Sequence, residues 1–479
     1  MADKVDAEGD YSTRIICAEL YKGGFKAARS ILNSIQQKPF SGKSPEIGLD
    51  VNLVKLHAES AKSYHWQNVM IVAIVTALGL IFYMLDPRIS SLLVASAIAV
   101  KFWMSQYQDK KIAIDNFSKK AYNPKFRLDQ IETQNANDKK QNVVIFGEYF
   151  PFVGAGYRIR NWNFVVDTSK PSKNADSIPN DVSIEELYKA VNDGIREKGL
   201  PNISHECILF ADGGELDTSF LLPDRVKEPE YNLDQNTIIS EGHKNPYDEY
   251  RTYYAIKYFD KARSTLLSTF LRFFKIGEEL FVECCFYALP PIDESKFDID
   301  QMPLYDDWLK YKAGAITAAL SLVTLTATMT PQLGLISLAI VSYIAFIPIV
   351  NIIFDKCGKP ILRKRLGKRI QKGEPHNYGN TKTFRESISG KNYKNYFSAQ
   401  DMILVQNSIE QAVIYSTAKL LDTKGIDSSS LTKDLLTFVN NNTMMYGCKL
   451  EGEQITVGSG AKVVQHARDS VQNIFDKVG

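Results

Sequence analysis

From Ala313 to Phe354 no side chain is charged, and Thr330-Pro331 lies near the middle of that run. A helix rises about 1.5 Å per residue and a bilayer core is about 30 Å thick, so one crossing needs roughly 20 apolar residues. The run is too long for one crossing and suits two, Ala313 to Met329 and Leu333 to Phe354, joined by a turn at Thr330-Pro331-Gln332. A second hairpin is expected near the N-terminus. Ser63 to Leu85 is uncharged apart from His65, Asp86-Pro87-Arg88 makes a polar turn, and Ile89 to Met104 returns with one charge at Lys101. The chain therefore reads as an integral membrane protein with two α-helical transmembrane hairpins and a cytosolic α+β domain, mostly antiparallel sheet.

The expected organisation is an N-terminal helical region over 1–62, hairpins over 63–104 and 313–354, the α+β domain over 115–303, and a basic juxtamembrane segment with a helical and β region over 355–479. With a net charge of +2 and 44% hydrophobic residues, the remainder has the composition of an ordinary globular protein, which disfavours a carrier built mainly of spanning helices. No signal-peptide pattern opens the chain. Lys110, Lys111, Lys119 and Lys120 follow the second span. Lys356, Lys359, Arg363, Lys364, Arg365, Lys368, Arg369 and Lys372 follow the fourth, with no acid from Lys356 to Lys372. The positive-inside rule places both flanks, both termini and the central domain in the cytoplasm, so the localisation expected is multi-pass in a membrane with both termini cytoplasmic. Cys17, Cys207, Cys284, Cys285, Cys357 and Cys448 have no metal or redox spacing and read as packing residues in a reducing compartment.

Along the chain, Thr13 to Ile35 has helical periodicity weakened at Gly23-Gly24, and Val51 opens a second helix. Ser183 and Glu186 have capping-box spacing ahead of a helix ending near Glu197. Glu206 to Phe210, Arg251 to Phe259, Leu266 to Lys275 and Glu279 to Ala288 read as strands, the last two forming a hairpin at Ile276-Gly277-Glu278. Asp401 to Leu421 reads as an amphipathic helix stopped by Gly425.

Two constellations carry candidate chemistry. Thr317, Ser321, Thr324 and Thr328 share one helical stripe; such hydroxyls line a water-filled path or bond back to their own helix. Arg158, Arg160 and Trp162 alternate along one strand, and Arg251, Tyr253 and Lys257 along another. Cations that meet phosphates beside rings that stack on bases suit a nucleotide or single-stranded nucleic-acid ligand; contact with anionic lipid is the competing reading. The basic run after the fourth span reads as lipid-facing because it follows that span. No dinucleotide fingerprint, P-loop, metalloprotease spacing or nucleophile elbow occurs, so catalytic residues, a metal and a cofactor are not expected.

Pro151-Phe-Val-Gly-Ala-Gly156 followed by Trp162, the Arg251-Thr-Tyr-Tyr254 strand, Leu289-Pro-Pro291 and the tail Gly447 to Gly460 resemble a group of poorly characterised bacterial membrane proteins. The arrangement of a small membrane part and a large cytosolic part with basic-aromatic strands is also similar to membrane channel effectors of anti-phage systems such as Hailong. That resemblance implies an oligomeric membrane channel or membrane-disrupting effector, gated by a nucleotide or nucleic-acid ligand at its cytosolic domain. The partners it implies are the lipid bilayer, further copies of the chain and that ligand, and the membrane it implies is a bacterial inner (plasma) membrane. The rival reading is a non-conducting membrane scaffold that recruits a cytosolic partner.

Overall fold

The structure, a computed structural model, describes residues 11–35, 38–83, 101, 104–105, 107–128, 141–172, 179–216, 219–244, 250–261, 264–293, 299, 358–390, 393, 396–429 and 431. The chain divides into two compact units, Met1–Thr443 and Met444–Gly479, and every described residue belongs to the first.

The N-terminal part is helical. Helix α1 (Tyr11–Lys22) and helix α2 (Gly24–Ile35) are separated at Gly23, where Gly24 adopts a left-handed φ of 72° that favours glycine. They pack on α3 (Val51–Tyr83) and on α4 (residues 107–117). Ala18, Ala58, Ala61 and Ala113 are fully buried in the shared core, and such small residues let helix axes approach closely. Tyr21 stacks on Phe117 at 5.4 Å and meets the edge of His57. Arg14, nearly fully buried, donates from Nη1 to the Phe117 carbonyl at 2.7 Å and so satisfies an orphan acceptor at the C-terminal end of α4.

Among the described residues no helix is long and apolar enough to cross a membrane. This overturns the expectation of a multi-pass integral membrane protein, and with it the inner-membrane localisation and the ion channel. The first half of α3, where the first span was expected to begin, is tied into the helical core: Ala61, Tyr64 and His65 are buried, and the His65 ring meets the Leu20 carbonyl at 3.1 Å. Farther along, Ile71, Ile74, Leu78, Ile81 and Phe82 of α3 are exposed. The return arm of that hairpin is described only at 101 and 104, and the whole of 313–354, including Thr317, Ser321, Thr324 and Thr328, lies outside the described residues.

The central part is α+β around one mixed sheet of six strands: β1 (Val143–Phe146), β2 (Tyr157–Asp167), β3 (Ile203–Asp212), β4 (Tyr250–Asp260), β5 (Thr265–Ile276) and β6 (Glu279–Leu289). Their spatial order is β1-β3-β4-β5-β6-β2; β1 and β3 run parallel and the other four pairings are antiparallel. The β5–β6 hairpin turns at Gly277, whose φ of 60° favours glycine. Helix α5 (Ile184–Glu197) begins in the expected capping box: Glu186 N donates to Ser183 Oγ, and Ser183 N donates to Glu186 Oε2. It lies over the sheet through Tyr188, whose ring meets Tyr254 and Phe273. Helix α6 is Gln235–Lys244, α7 Lys359–Gln371, α8 Phe384–Ser387 and α9 Tyr396–Thr423. Gly194 of α5 and Ser416 of α9 are in direct contact, so α5 and α9 form a helical layer on that face.

The opposite face is closed by the loop Pro151 to Gly156. Phe152 stacks on Phe270 at 4.4 Å and also touches Phe210, Tyr253 and Tyr287, which makes it the centre of an aromatic core. Both glycines of this motif have structural causes. Gly154 has φ 92°, and Gly156 has φ 90° with its α-carbon so near the Ala288 carbonyl that there is no room for a Cβ.

Candidate functional site

The six residues expected to face a ligand do not share one surface. The register of β2 against β6 slips between Arg158 and Arg160, a bulge that adds a residue and reverses which face later side chains take. Arg158 pairs across to Tyr287, on the Phe152 face. Arg160 and Trp162 pair across to Phe286 and Cys284, on the helix-covered face. A strict alternation from 158 to 164 hides this slip, which is why the strand read as a single basic-aromatic row.

Arg160 and Trp162 converge on Glu410 of α9. Arg160 Nη1 donates to Glu410 Oε2 at 2.7 Å and Trp162 Nε1 donates to Oε1 at 2.8 Å. Glu410 is fully buried, so burial pushes its carboxyl pKa up, while the Arg160 guanidinium and the two hydrogen bonds pull it back down. The arrangement is an internal carboxylate clamp that fixes α9 on the sheet. Glu410 was not singled out in the sequence because its partners lie about 250 positions away in the chain.

Arg251, Tyr253 and Lys257 do alternate onto one face of β4, the face that Phe152 closes. Tyr253 lies in the aromatic core, and its hydroxyl donates to Glu283 Oε1 at 3.0 Å. Lys257 Nζ donates to Glu206 Oε1 at 2.8 Å, both side chains being about nine-tenths buried. Arg272 lies 4.6 Å over the Phe274 ring. Arg158 and Arg251 are exposed. Four of the six candidates therefore have structural partners within the fold.

A short helix keys the surrounding loops together. The backbone N–H groups of Phe384 and Arg385, at the start of α8, donate to the two oxygens of Glu46 at 2.7 and 2.8 Å. Glu386 Oε1 accepts from Gly156 N at 2.9 Å, which ties the Phe152 loop to α8. Arg385 is buried; it donates from Nη2 to the Ser264 and Pro290 carbonyls and from Nη1 to Ser389 Oγ, and burial lowers its pKa to about 10.

A denser group of exposed cations and rings lies elsewhere. Helix α7 contains Lys359, Arg363, Lys364, Arg365, Lys368 and Arg369, and no acid. Gly367 and Ile370 face inward, Gly367 against Val226 and Phe40, and Arg363 covers the Phe40 ring at 5.1 Å. At 100° per residue this turns Ile361, Arg365, Lys368 and Lys372 outward, and all four are exposed. The chain then passes to Asn377, whose Nδ2 donates to the Gly147 carbonyl at 3.0 Å. Two residues beyond Gly147, Tyr149 and Phe150 project from the surface, 89% and 58% exposed, as an edge-to-face pair at 5.0 Å. At about 3.3–3.6 Å of chain per residue, Lys372 and Tyr149 are within roughly 30 Å of each other. As sequence, this basic run reads as lipid-facing because a span is expected before it. Tyr149 and Phe150 do not stand out in the sequence, since single aromatic residues in a loop have no periodic signal.

Among the described residues no group of three His, Cys, Asp or Glu side chains could hold a metal ion. Cys207, Cys284 and Cys285 are buried in the sheet with thiol pKa values raised by desolvation, Cys207 to about 11 and Cys285 to about 12, which makes them poor nucleophiles.

Comparison with curated proteins and with solved structures returns no match. A family profile described as an AbeC-like domain matches residues 161–455, which takes in β2 from Asn161, β3 to β6, α5 to α9 and Glu410. That match covers more than half of the chain, and the protein belongs to the AbeC-like domain family.

Proposed function

We propose that this protein is a ligand-responsive component of an abortive-infection-type defence, a role its family name suggests, and that it acts by binding rather than by catalysis. The ligand is a single-stranded nucleic acid or a short oligonucleotide. One observation carries this reading: the outward row Arg365, Lys368 and Lys372 stands within reach of the exposed Tyr149–Phe150 pair. Single strands are held by cations that follow the phosphates and by rings on which bases stack, each stacked base contributing about 1–3 kcal/mol. Among the described residues Arg365 and Lys368 form no ion pair, and Lys372 lies in the field of Glu374 without a salt bridge to it. Arg369 is engaged by Glu374, and Arg363 by Phe40 and Glu228, but these lie to the side of the outward row.

The experiment is fluorescence anisotropy of the purified full chain with labelled 20-nucleotide single strands over a series of salt concentrations. Binding with log K falling as log salt rises is expected, with a slope of about −0.7 per phosphate contact. Charge-neutral replacement of Arg365, Lys368 and Lys372 together should flatten the slope by about 2 units. Absence of binding at 50 mM salt refutes the ligand class. Binding to anionic vesicles but not to oligonucleotides assigns the surface to lipid instead.

A further inference from the structure

The two edges of the sheet are treated differently. At one edge, β1 is short and covered: Asn380 bridges to Phe146, Asn380 N donates to the Ile145 carbonyl, and Gly147 N donates to the Asn380 carbonyl. Gly379 makes this possible, since its backbone lies against Phe146 and Gly147 with no room for a Cβ. At the other edge, β2 runs for eleven residues and, among the described strands, pairs only with β6. Among the described residues, no backbone hydrogen bond of 161–166 reaches any strand or loop other than β6.

An open edge is usually blunted by charge, proline or a bulge. Here the slip is confined to Arg158/Arg160, and from Asn161 to Val166 the register is regular, with no charged residue, proline or glycine. Asn161, Asn163 and Val165 are exposed on one face of this stretch, and Phe164 is half-buried on the other. The stretch is also complementary to itself. In an antiparallel pairing centred on Asn163, that residue faces its own copy and Asn161 faces Val165. On the other face Trp162 lies beside Phe164 of the second strand, an aromatic cross-strand pair. We infer that β2 pairs edge to edge with β2 of a second copy of this chain, giving a twofold dimer whose two sheets are continuous. Such a contact is isologous, with the same patch used on both sides, and it closes without leaving an edge open. It is independent of the ligand reading above, because α7 and Tyr149 take no part in it.

Light scattering of the full chain during size exclusion should return twice the chain mass of 54.0 kDa. Asn163→Lys places two ammonium groups directly opposite each other and should return the single-chain mass, while Asn163→Thr, which suits a strand, should remain dimeric. In a background with Cys357→Ser and Cys448→Ser, Asn163→Cys should form an intermolecular disulfide on mild oxidation. Directly opposed strand residues have Cα atoms about 4.5–5.5 Å apart, within the range a disulfide spans. Because residue 163 is exposed, circular dichroism of Asn163→Lys should match the wild type. A wild-type chain that is monomeric at 100 μM overturns the proposal. So does an oligomer that survives Asn163→Lys and fails to form the 163–163 disulfide, since its interface then lies elsewhere.

Discussion

Removing the Glu410 carboxylate tests how the sheet holds its long helix. Glu410 is fully buried, and its two oxygens receive Arg160 Nη1 at 2.7 Å and Trp162 Nε1 at 2.8 Å. In Glu410→Ala the Arg160 guanidinium, only 6% exposed, keeps its charge and loses its counter-ion. Breaking a buried pair from one side costs about 3–5 kcal/mol, and leaving the indole N–H without an acceptor falls within that figure. The pair itself is worth far less. Burial raises the Glu410 pKa despite the adjacent cation, so ionisation there carries a desolvation cost that the attraction does not fully offset. Arg160→Met combined with Glu410→Leu should therefore lie within about 1 kcal/mol of wild type. Glu410→Gln, which keeps one acceptor, should fall between, at about 1–3 kcal/mol. Urea midpoints with unchanged m-values measure the differences, and hydrogen exchange of α9 and β2 amides shows whether the loss is local. If Glu410→Ala lies within 1 kcal/mol of wild type, or if the double replacement is worse than the single one, the clamp does not anchor α9.

Other outcomes follow from separate parts of the molecule. Asp109 in α4, buried beside Tyr64, Ser105, Lys101, Arg127 and His65, has a pKa raised by desolvation to about 7, whereas burial lowers that of His65. The Asp109 contribution is complete below about pH 4 and lost as pH rises through 7; that of His65 is present above about 6.5 and lost as pH falls through its lowered value. On these two groups stability should therefore fall as pH rises from about 4 to 7, offset by His65 only between its lowered value and about 6.5, and level off above, and Asp109→Asn should remove that fall. Gly156→Ala forces a Cβ against the Ala288 carbonyl in a left-handed backbone and should abolish soluble expression or lower stability by more than about 2 kcal/mol. Site-resolved mass spectrometry should find Cys284 and Cys285 unmodified by a thiol reagent in the native protein and labelled in 6 M guanidinium, since both are buried with raised pKa values.

What could be read from the sequence followed range of interaction. The capping box at Ser183 and Glu186, the break at Gly23-Gly24, the β5–β6 hairpin and the start of α3 at Val51 are set by residues within a few positions of one another, and each stands where local chemistry places it. β3 and β4 also appear, extended by a few residues at their ends. The parallel pairing of β1 with β3 and the carriage of Glu410 to Arg160 depend on contacts made far along the chain, and no periodicity encodes them. The bulge after Arg158 was illegible for a related reason. It contains no glycine or proline to mark it, yet it sends Arg158 and Arg160 to opposite faces and dissolves the supposed ligand row. Apolar length alone drove the membrane expectation, and among the described residues it has no counterpart.

Arg160 and Trp162 hold α9 through Glu410, and in the proposed function the ligand is taken elsewhere, at α7 and the Tyr149–Phe150 tip. Photocrosslinking of the full chain to a single strand bearing 5-iodouracil, with the adducts mapped by mass spectrometry, separates the two surfaces. Adducts are expected at Tyr149 or Phe150, lost when both are replaced by alanine and reduced when Arg365, Lys368 and Lys372 are neutralised. Adducts at Trp162 or Tyr253, or crosslinking that both sets of replacements leave unchanged, would contradict this placement.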